Sequence, residues 1–147
     1  MKLTVEKALE YAMQKHAPII GRNGHPYVEH VIRVARQFKN ETLQIIALWH
    51  DLLEDTDASI KEMRQMGANE EIIKAVKLLT HDKDKISYQE YLRKLSRNPL
   101  ALLVKIADVN ENYNNIGCLT PEEQIRIGDK YIKAKKFLYE VYMKGKF

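Results

Sequence analysis

Apolar residues recur at helical spacing along almost the whole chain, and this periodicity is the strongest constraint on the fold. Thr4 is a candidate N-cap for a first helix, whose apolar stripe consists of Val5, Ala8, Leu9, Ala12 and Met13. We find no pair of segments with strand-like alternation and no internal repeat. A chain of 147 residues is also the size of one domain with a sizeable core. The sequence therefore predicts an all-α fold, a single-domain bundle of seven to eight helices over residues 1–147.

The third helix is expected to lie at the centre of this bundle. Asn40 is its candidate cap, and the helix should run from Glu41 to about Leu53 with an almost wholly apolar centre. A helix that is apolar on every side belongs in the core. A second helix is expected from Tyr27 to Phe38, after an irregular loop over residues 16–26 that contains two glycines and two prolines. Candidate starts of the later helices are Ser59, Asn69, Ser87, Leu100 and Thr120.

Composition excludes several classes of protein. With 45% hydrophobic residues, six glycines and four prolines, the chain is neither disordered nor collagen-like. No apolar run approaches the roughly 18–20 residues that cross a bilayer, so a membrane protein is not expected. The first seven residues carry charges where a signal peptide would be apolar, and the single Cys118 cannot form an internal disulfide. These features predict a cytoplasmic protein.

The net charge of +4 is concentrated in the last helix. Residues 126–147 contain one arginine and six lysines against two acids. Such a segment could bind phosphate-rich ligands or nucleic acid. Its apolar residues nevertheless form a helical stripe, which favours a packed helix with a solvated basic face: Ile127, Tyr131, Ala134, Leu138 and Tyr142. A nucleic-acid partner is therefore not expected, and the sequence leaves open whether the chain forms a homo-oligomer.

Two apolar helices end in acidic residues, and this is the strongest indication of chemistry. Residues 102–107 are largely apolar and run into Asp108. The third helix ends in four ionisable residues within six positions, His50, Asp51, Glu54 and Asp55, and His30 lies one turn into the second helix. Because unpaired buried charge is costly, a shared cation would explain the pattern. Two histidines and two aspartates suit a divalent ion such as Mn²⁺, Fe²⁺ or Zn²⁺, whereas the lack of thiolate ligands argues against a structural zinc site.

Each member of this set also has a purely structural explanation. His50 could be a core histidine paired with a neighbouring carboxylate, and His30 could equally be structural. Asp108 could pair with a basic residue, either Lys105 or Arg126. The combination of these residues is more specific than any one of them.

A second His-Asp pair shows how little one such dipeptide means. His81-Asp82 lies in the charged stretch of residues 80–85, which predicts an exposed loop. We do not expect this pair to bind metal.

The order of these residues resembles that of the HD-domain metal-dependent phosphohydrolases. The local motifs resemble one branch, the alarmone hydrolase domain of RelA/SpoT proteins and the stand-alone small alarmone hydrolases. Pro-Tyr-x-x-His occupies residues 26–30, His-Asp-x-x-Glu-Asp-Thr residues 50–56, Val-x-x-Leu-Thr residues 76–80, and Lys-x-Ala-Asp-x-x-x-Asn residues 105–112. The resemblance covers about residues 5–140 and implies an HD-domain-like bundle with the third helix buried.

The resemblance also implies roles for individual residues. A divalent metal, usually manganese in this branch, would be held by His30, His50, Asp51 and Asp108. Two carboxylates would position and deprotonate the attacking water, Glu54 and Asp55. Three residues would bind the nucleotide substrate, Arg22, Lys105 and Asn112.

The implied reaction removes pyrophosphate from the 3′ position of a guanosine tetra- or pentaphosphate alarmone. Because the chain ends with its last helix, a hydrolase without an attached synthetase domain is expected. The loop before the second helix departs from the family pattern: it keeps His16 but lacks the usual Gly-Gln pair, and only Arg22 remains of two basic positions. This departure leaves open an enzyme acting on another nucleotide. A non-catalytic nucleotide- or partner-binding module is the third hypothesis, and the intact pair of Glu54 and Asp55 argues against it.

Overall fold

The computed structural model describes residues 2–145, in which the regular secondary structure is helical apart from one isolated bridge between Ile20 and Pro26. The helices are α1 (Val5–His16), α2 (Val28–Ala35), α3 (Glu41–Trp49), α4 (Leu52–Asp55), α5 (Ile60–Gln65), α6 (Glu70–Leu78), α7 (Tyr88–Leu95), α8 (Pro99–Asn114) and α9 (Pro121–Lys144), with a 3-10 turn at Ile116–Cys118. If the single turn α4 is counted with α3, the described chain has eight helices, and the predicted all-α class is confirmed. Over the same residues, none of the helices is long and apolar enough to cross a membrane.

Helix α3 lies at the centre of the bundle, as predicted. It packs against α1, α2, α6 and α8, and Ile45–Trp49 are all buried. Trp49 is fully buried, and its indole Nε1 donates a hydrogen bond to the carbonyl of Ala8 at 3.0 Å. The most apolar segment of the sequence thus forms the core on which the other helices pack.

The third helix is shorter than the sequence predicts, because it breaks at His50 and Asp51. The N–H of His50 bonds to the carbonyl of Ala47, three residues back, and Asp51 has φ −106° and ψ −2°. A new turn, α4, then starts at Leu52. The expected single helix from Glu41 to Leu53 is therefore wrong at its end, and the break lies at two of the four predicted metal ligands.

Most helix starts are fixed by local caps, which explains why the sequence located them. A side-chain oxygen accepts a hydrogen bond from the first turn at Thr4, Asn40, Ser59, Asn69, Ser87, Asn98 and Thr120. Helices α2 and α4 are the exceptions, since neither Tyr27 nor Asp51 makes a side-chain capping bond. Helix α2 spans Val28–Ala35 rather than the expected residues 27–38.

The apolar stripe of α9 packs on the core except at its end. Ile127, Ala134 and Leu138 are buried and Tyr131 is half-buried. Tyr142 is 46% exposed, so its predicted core position is wrong. Half-buried Val141, which continues the spacing of three and four residues, packs against the core instead.

Candidate metal centre

Three parts of the fold bring the four predicted ligands together. His30 comes from α2, His50 and Asp51 from the break between α3 and α4, and Asp108 from α8. One ligand atom from each residue lies within 4.8 Å of all the others. His30, His50 and Asp108 are buried and Asp51 is half-buried. His30 and Asp108 are 78 positions apart in the sequence, but the fold brings them into one compact donor set.

The tautomer of His50 is fixed by the backbone. Its Nδ1 lies against the carbonyl of Ala47, and because a carbonyl only accepts hydrogen bonds, Nδ1 carries the proton. Its Nε2 therefore faces the carboxylates of Asp51 and Asp108, at 3.1 and 3.2 Å, without a well-directed hydrogen bond. Burial lowers the pKa of His50, but the charges of the two aspartates outweigh burial and raise it well above its usual range. The position between these atoms thus favours a positive charge.

Asp108 is a buried acid whose carboxylate lies within hydrogen-bonding distance of several neighbouring side chains. Its Oδ1 lies 2.8 Å from Nε2 of His30 and accepts from the Asn112 amide at 3.2 Å, while its Oδ2 accepts from Nζ of Lys105 at 3.0 Å. Burial raises the pKa of Asp108, but the charges of Lys105 and His50 lower it well below its usual range. The carboxylate is therefore ionised despite its burial. Of the two basic partners predicted for it, Lys105 is the one the structure shows.

The donor set fits a divalent cation. Two imidazole nitrogens and two ionised carboxylates supply mixed nitrogen and oxygen ligands, and the two negative charges match an ion of charge +2. The Nε2 of His50, which is buried without a hydrogen-bond partner, is the atom that such an ion would satisfy.

The predicted catalytic carboxylates lie on α4, directly after the ligands. Asp55 lines the space in front of the donor set, and Glu54 accepts a hydrogen bond from the backbone N–H of His81. Partial burial and the negative charges of Asp51 and Glu54 raise the pKa of Asp55 to about 6.

The cleft at the donor set has two adjacent parts. The outer cavity, about 350 Å³, includes Arg22, Arg33 and Leu119 in its wall. The inner cavity, about 210 Å³, includes Lys105 and Tyr91. Five residues line both parts, Tyr27, Asp55, Lys83, Asn112 and Tyr131. All three residues predicted to bind substrate, Arg22, Lys105 and Asn112, thus lie in this cleft.

Several residues of the inner cavity were not singled out from the sequence. Nζ of Lys130 lies 4.3 Å from the ring centroid of Tyr88, and Nζ of Lys105 lies 5.2 Å from that of Tyr91. Burial and the nearby charges of Lys105 and Lys83 lower the pKa of Lys130. The sequence spacing of Tyr88 and Tyr91 places both on one face of α7, and this spacing could have identified them. Lys130 could not have been identified in this way, because in the sequence it resembles the solvated lysines beside it.

His81 lies in a loop outside the four-ligand cluster. The prediction that it is exposed is wrong. It is half-buried, and its ring stacks on Tyr91 with the centroids 4.5 Å apart. Its Nε2 donates to the carbonyl of Ile86 at 2.8 Å. Asp82 is exposed, so the exposed-loop prediction holds for only one member of the pair.

No family model matches the chain. It is 36% identical over 140 residues to GTP pyrophosphokinase rsh of Brucella ovis, a match that covers 86% of this chain and 18% of the relative. It is 33% identical over 138 residues to the guanosine-3′,5′-bis(diphosphate) 3′-pyrophosphohydrolase of Spiroplasma citri, covering 82% and 18%. It is 28% identical over 134 residues to the enzyme of the same name from Aquifex aeolicus, covering 84% and 19%. The chain thus spans about a fifth of the length of these relatives.

The fold is also similar to that of a solved structure. That protein is a metazoan orthologue of SpoT, which hydrolyses ppGpp and plays a role in starvation responses. The two chains superpose with a TM-score of 0.73 and 25% identity, over 95% of this chain and 94% of the other. Sequence and fold together confirm that this chain is similar to the hydrolase domain of the RelA/SpoT proteins.

Proposed function

We propose that this chain is a metal-dependent hydrolase that removes pyrophosphate from the 3′ position of guanosine 3′,5′-bis(diphosphate), with Mn²⁺ as its metal. The observation that carries the proposal is the donor set of His30, His50, Asp51 and Asp108, three of which line the cleft together with Asp55: His30, Asp51 and Asp108. The relatives from Spiroplasma citri and Aquifex aeolicus, which are named for this reaction, support the choice of substrate.

The four donors would hold the ion. When bound, a divalent ion supplies Lewis-acid stabilisation of a phosphoryl oxygen and makes water easier to deprotonate. Asp55, which lines both parts of the cleft, accepts one proton of the attacking water, and Glu54 helps to position that water. The water attacks the phosphorus next to the ribose, the bond to the 3′-oxygen breaks, and that oxygen takes up a proton. The products are guanosine diphosphate and pyrophosphate.

The lysines of the inner cavity suit the pyrophosphate group. Lys83 and Lys130 line this cavity, and neither has an ion-pair partner among residues 2–145. Lys105 also lines it, but its Nζ is bound to Asp108, so its main effect is to keep that ligand ionised. The outer cavity, with Arg22, Asn112 and Tyr131, would take the nucleoside.

The other hypotheses make different predictions about turnover. The test is to incubate the purified chain and Mn²⁺ with guanosine 3′,5′-bis(diphosphate), GTP and GMP, and to identify the products by phosphorus NMR. We expect guanosine diphosphate and pyrophosphate from the first compound alone. Turnover of another nucleotide without the alarmone would favour a different substrate, and metal binding without any turnover would favour a non-catalytic module.

A further inference from the structure

A second ion pair joins α2 and α8 one turn beyond the metal ligands. Arg33 lies three residues after His30, and Glu111 lies three residues after Asp108. Nε of Arg33 donates to Oε1 of Glu111, in parallel with the contact between His30 and Asp108. The pair therefore lies directly beside the candidate metal centre, about 4.5 Å further along each helix.

The arginine faces the outer cavity, whereas the glutamate lies behind it. Arg33 lines this cavity and its side chain is 35% exposed. Glu111 is 12% exposed and is not among the lining residues of the cavity. The Asn115 amide also donates to Oε1 of Glu111, at 2.8 Å, so the carboxylate is held from two sides.

This arrangement leaves most of the guanidinium available to a ligand. Within residues 2–145, Arg33 donates a hydrogen bond through Nε alone. A guanidinium carries five N–H donors in a fixed plane, and its terminal nitrogens match the oxygens of a phosphate group. Because Glu111 already fixes the side chain, less conformational entropy is lost when a ligand binds.

The rest of the wall indicates that the ligand is anionic. Arg22 and Lys83 add two more positive charges to the outer cavity. Asp55 is the one acidic residue among the lining residues that the structure describes, and it lies on the side of the donor set. A phosphate group at Arg33 would therefore meet a positively charged surface.

We propose that Arg33, held in place by Glu111, binds the 5′-phosphates of the substrate and makes the enzyme select nucleotides that carry a 5′-diphosphate or longer. The assignment rests on the proposed function, since it requires the 3′-pyrophosphate to lie at the metal centre. The opposite end of the same nucleotide then lies in the outer cavity.

The test compares guanosine 3′-diphosphates that carry a 5′-monophosphate or a 5′-diphosphate. The variants are Arg33→Gln, Arg33→Lys and Glu111→Gln, with Arg36→Gln as the matched control, because Arg36 is exposed at the end of the same helix. We expect Arg33→Gln to reduce the preference for the 5′-diphosphate by about tenfold, through KM rather than kcat. Arg33→Lys should lose less of this preference, and Glu111→Gln should also reduce it. Arg36→Gln should show the same preference as the original chain.

Two results would overturn the inference. If the preference is unchanged in Arg33→Gln, the ion pair only joins the two helices. If Arg33→Gln instead loses discrimination between the guanosine compound and its adenosine analogue, the arginine recognises the base. A calorimetric measurement of GDP and GMP binding to the same proteins decides the question without any hydrolysis. If Arg33→Gln loses the preference for GDP over GMP, the inference is supported. If that preference is unchanged, the inference is contradicted. Absence of hydrolysis by the original chain would count against the proposed function alone.

Discussion

The hydroxyl of Tyr27 donates a hydrogen bond to Oδ2 of Asp51, and this contact joins the start of α2 to the break between α3 and α4. The ring of Tyr27 is held between His16 and His30, with centroid distances of 5.3 and 5.4 Å. Burial and the charge of Asp51 raise the pKa of Tyr27, so the phenol remains a donor. A residue outside the donor set therefore fixes the orientation of one of its carboxylates.

Replacing Tyr27 by Phe should weaken the binding of Mn²⁺ at least about tenfold, because Asp51 loses the donor that orients it. The metal-free variant should keep its helical circular dichroism spectrum. Calorimetric titration with Mn²⁺ measures the effect, and Tyr139→Phe, which removes an exposed hydroxyl, is the control. Equal affinity in the original chain and Tyr27→Phe would show that the hydroxyl does not orient the ligand.

Replacing Asp108 by Ala should lower the free energy of unfolding by about 3–5 kcal/mol, because Lys105 would be left buried without its partner. Urea unfolding of the metal-free proteins measures the change. Asp129→Ala, which breaks the exposed pair with Lys133, should cost under about 1 kcal/mol. A loss at Asp108 as small as that at Asp129 would mean that the buried charges contribute little to stability.

Replacing Asp55 by Asn should reduce kcat by roughly 10²–10⁴-fold, since the amide cannot accept the proton of the attacking water. Metal stoichiometry should not change, because Asp55 is not among the four clustered donors. The matched control is Asp57→Asn, whose carboxylate binds Lys15 instead. Wild-type kcat in Asp55→Asn would assign the proton transfer to another group.

Tyr11 should make the fold sensitive to alkali. It is 7% exposed, and its hydroxyl donates to Glu62 at 2.9 Å. Burial and this hydrogen bond raise its pKa to about 12 from the ordinary 10. The neutral phenol is thus favoured in the folded state. Its contribution to the free energy of unfolding is therefore complete below pH 10 and is lost as the pH rises towards 12.

The protonated hydroxyl of Tyr11 therefore stabilises the folded state, and its deprotonation removes this stabilisation. The difference in unfolding free energy between the original chain and Tyr11→Phe should therefore shrink between pH 10 and pH 12. The other tyrosines titrate in both proteins and cancel from this difference. A difference that stays constant over the range would mean that Tyr11 has an ordinary pKa.

The sequence located features that depend on local chemistry. Asn40 and Thr120 start helices because their side chains accept hydrogen bonds from the next turn, and that interaction needs no other part of the fold. The candidate ligands His50 and Asp108 were evident because ionisable residues interrupt apolar helices.

Features that depend on distant segments were not predicted. The break at Asp51 was not predicted, because residues 47–53 contain neither glycine nor proline to mark the end of a helix. Lys130 lines the cleft, but in sequence it is one of many lysines on a basic helix. Likewise, Arg33 and Glu111 are ordinary surface residues until α2 and α8 pack together.

The most direct test of the central claim is a metal titration of pyrophosphate release. Chelator-treated chain is mixed with guanosine 3′,5′-bis(diphosphate), Mn²⁺ is added stepwise, and pyrophosphate is measured beside an Asp51→Ala control. We expect no release before Mn²⁺ is added, a rise that saturates when one site is filled, and no release from the control. Equal release from both proteins, or release that a chelator does not stop, would contradict the account.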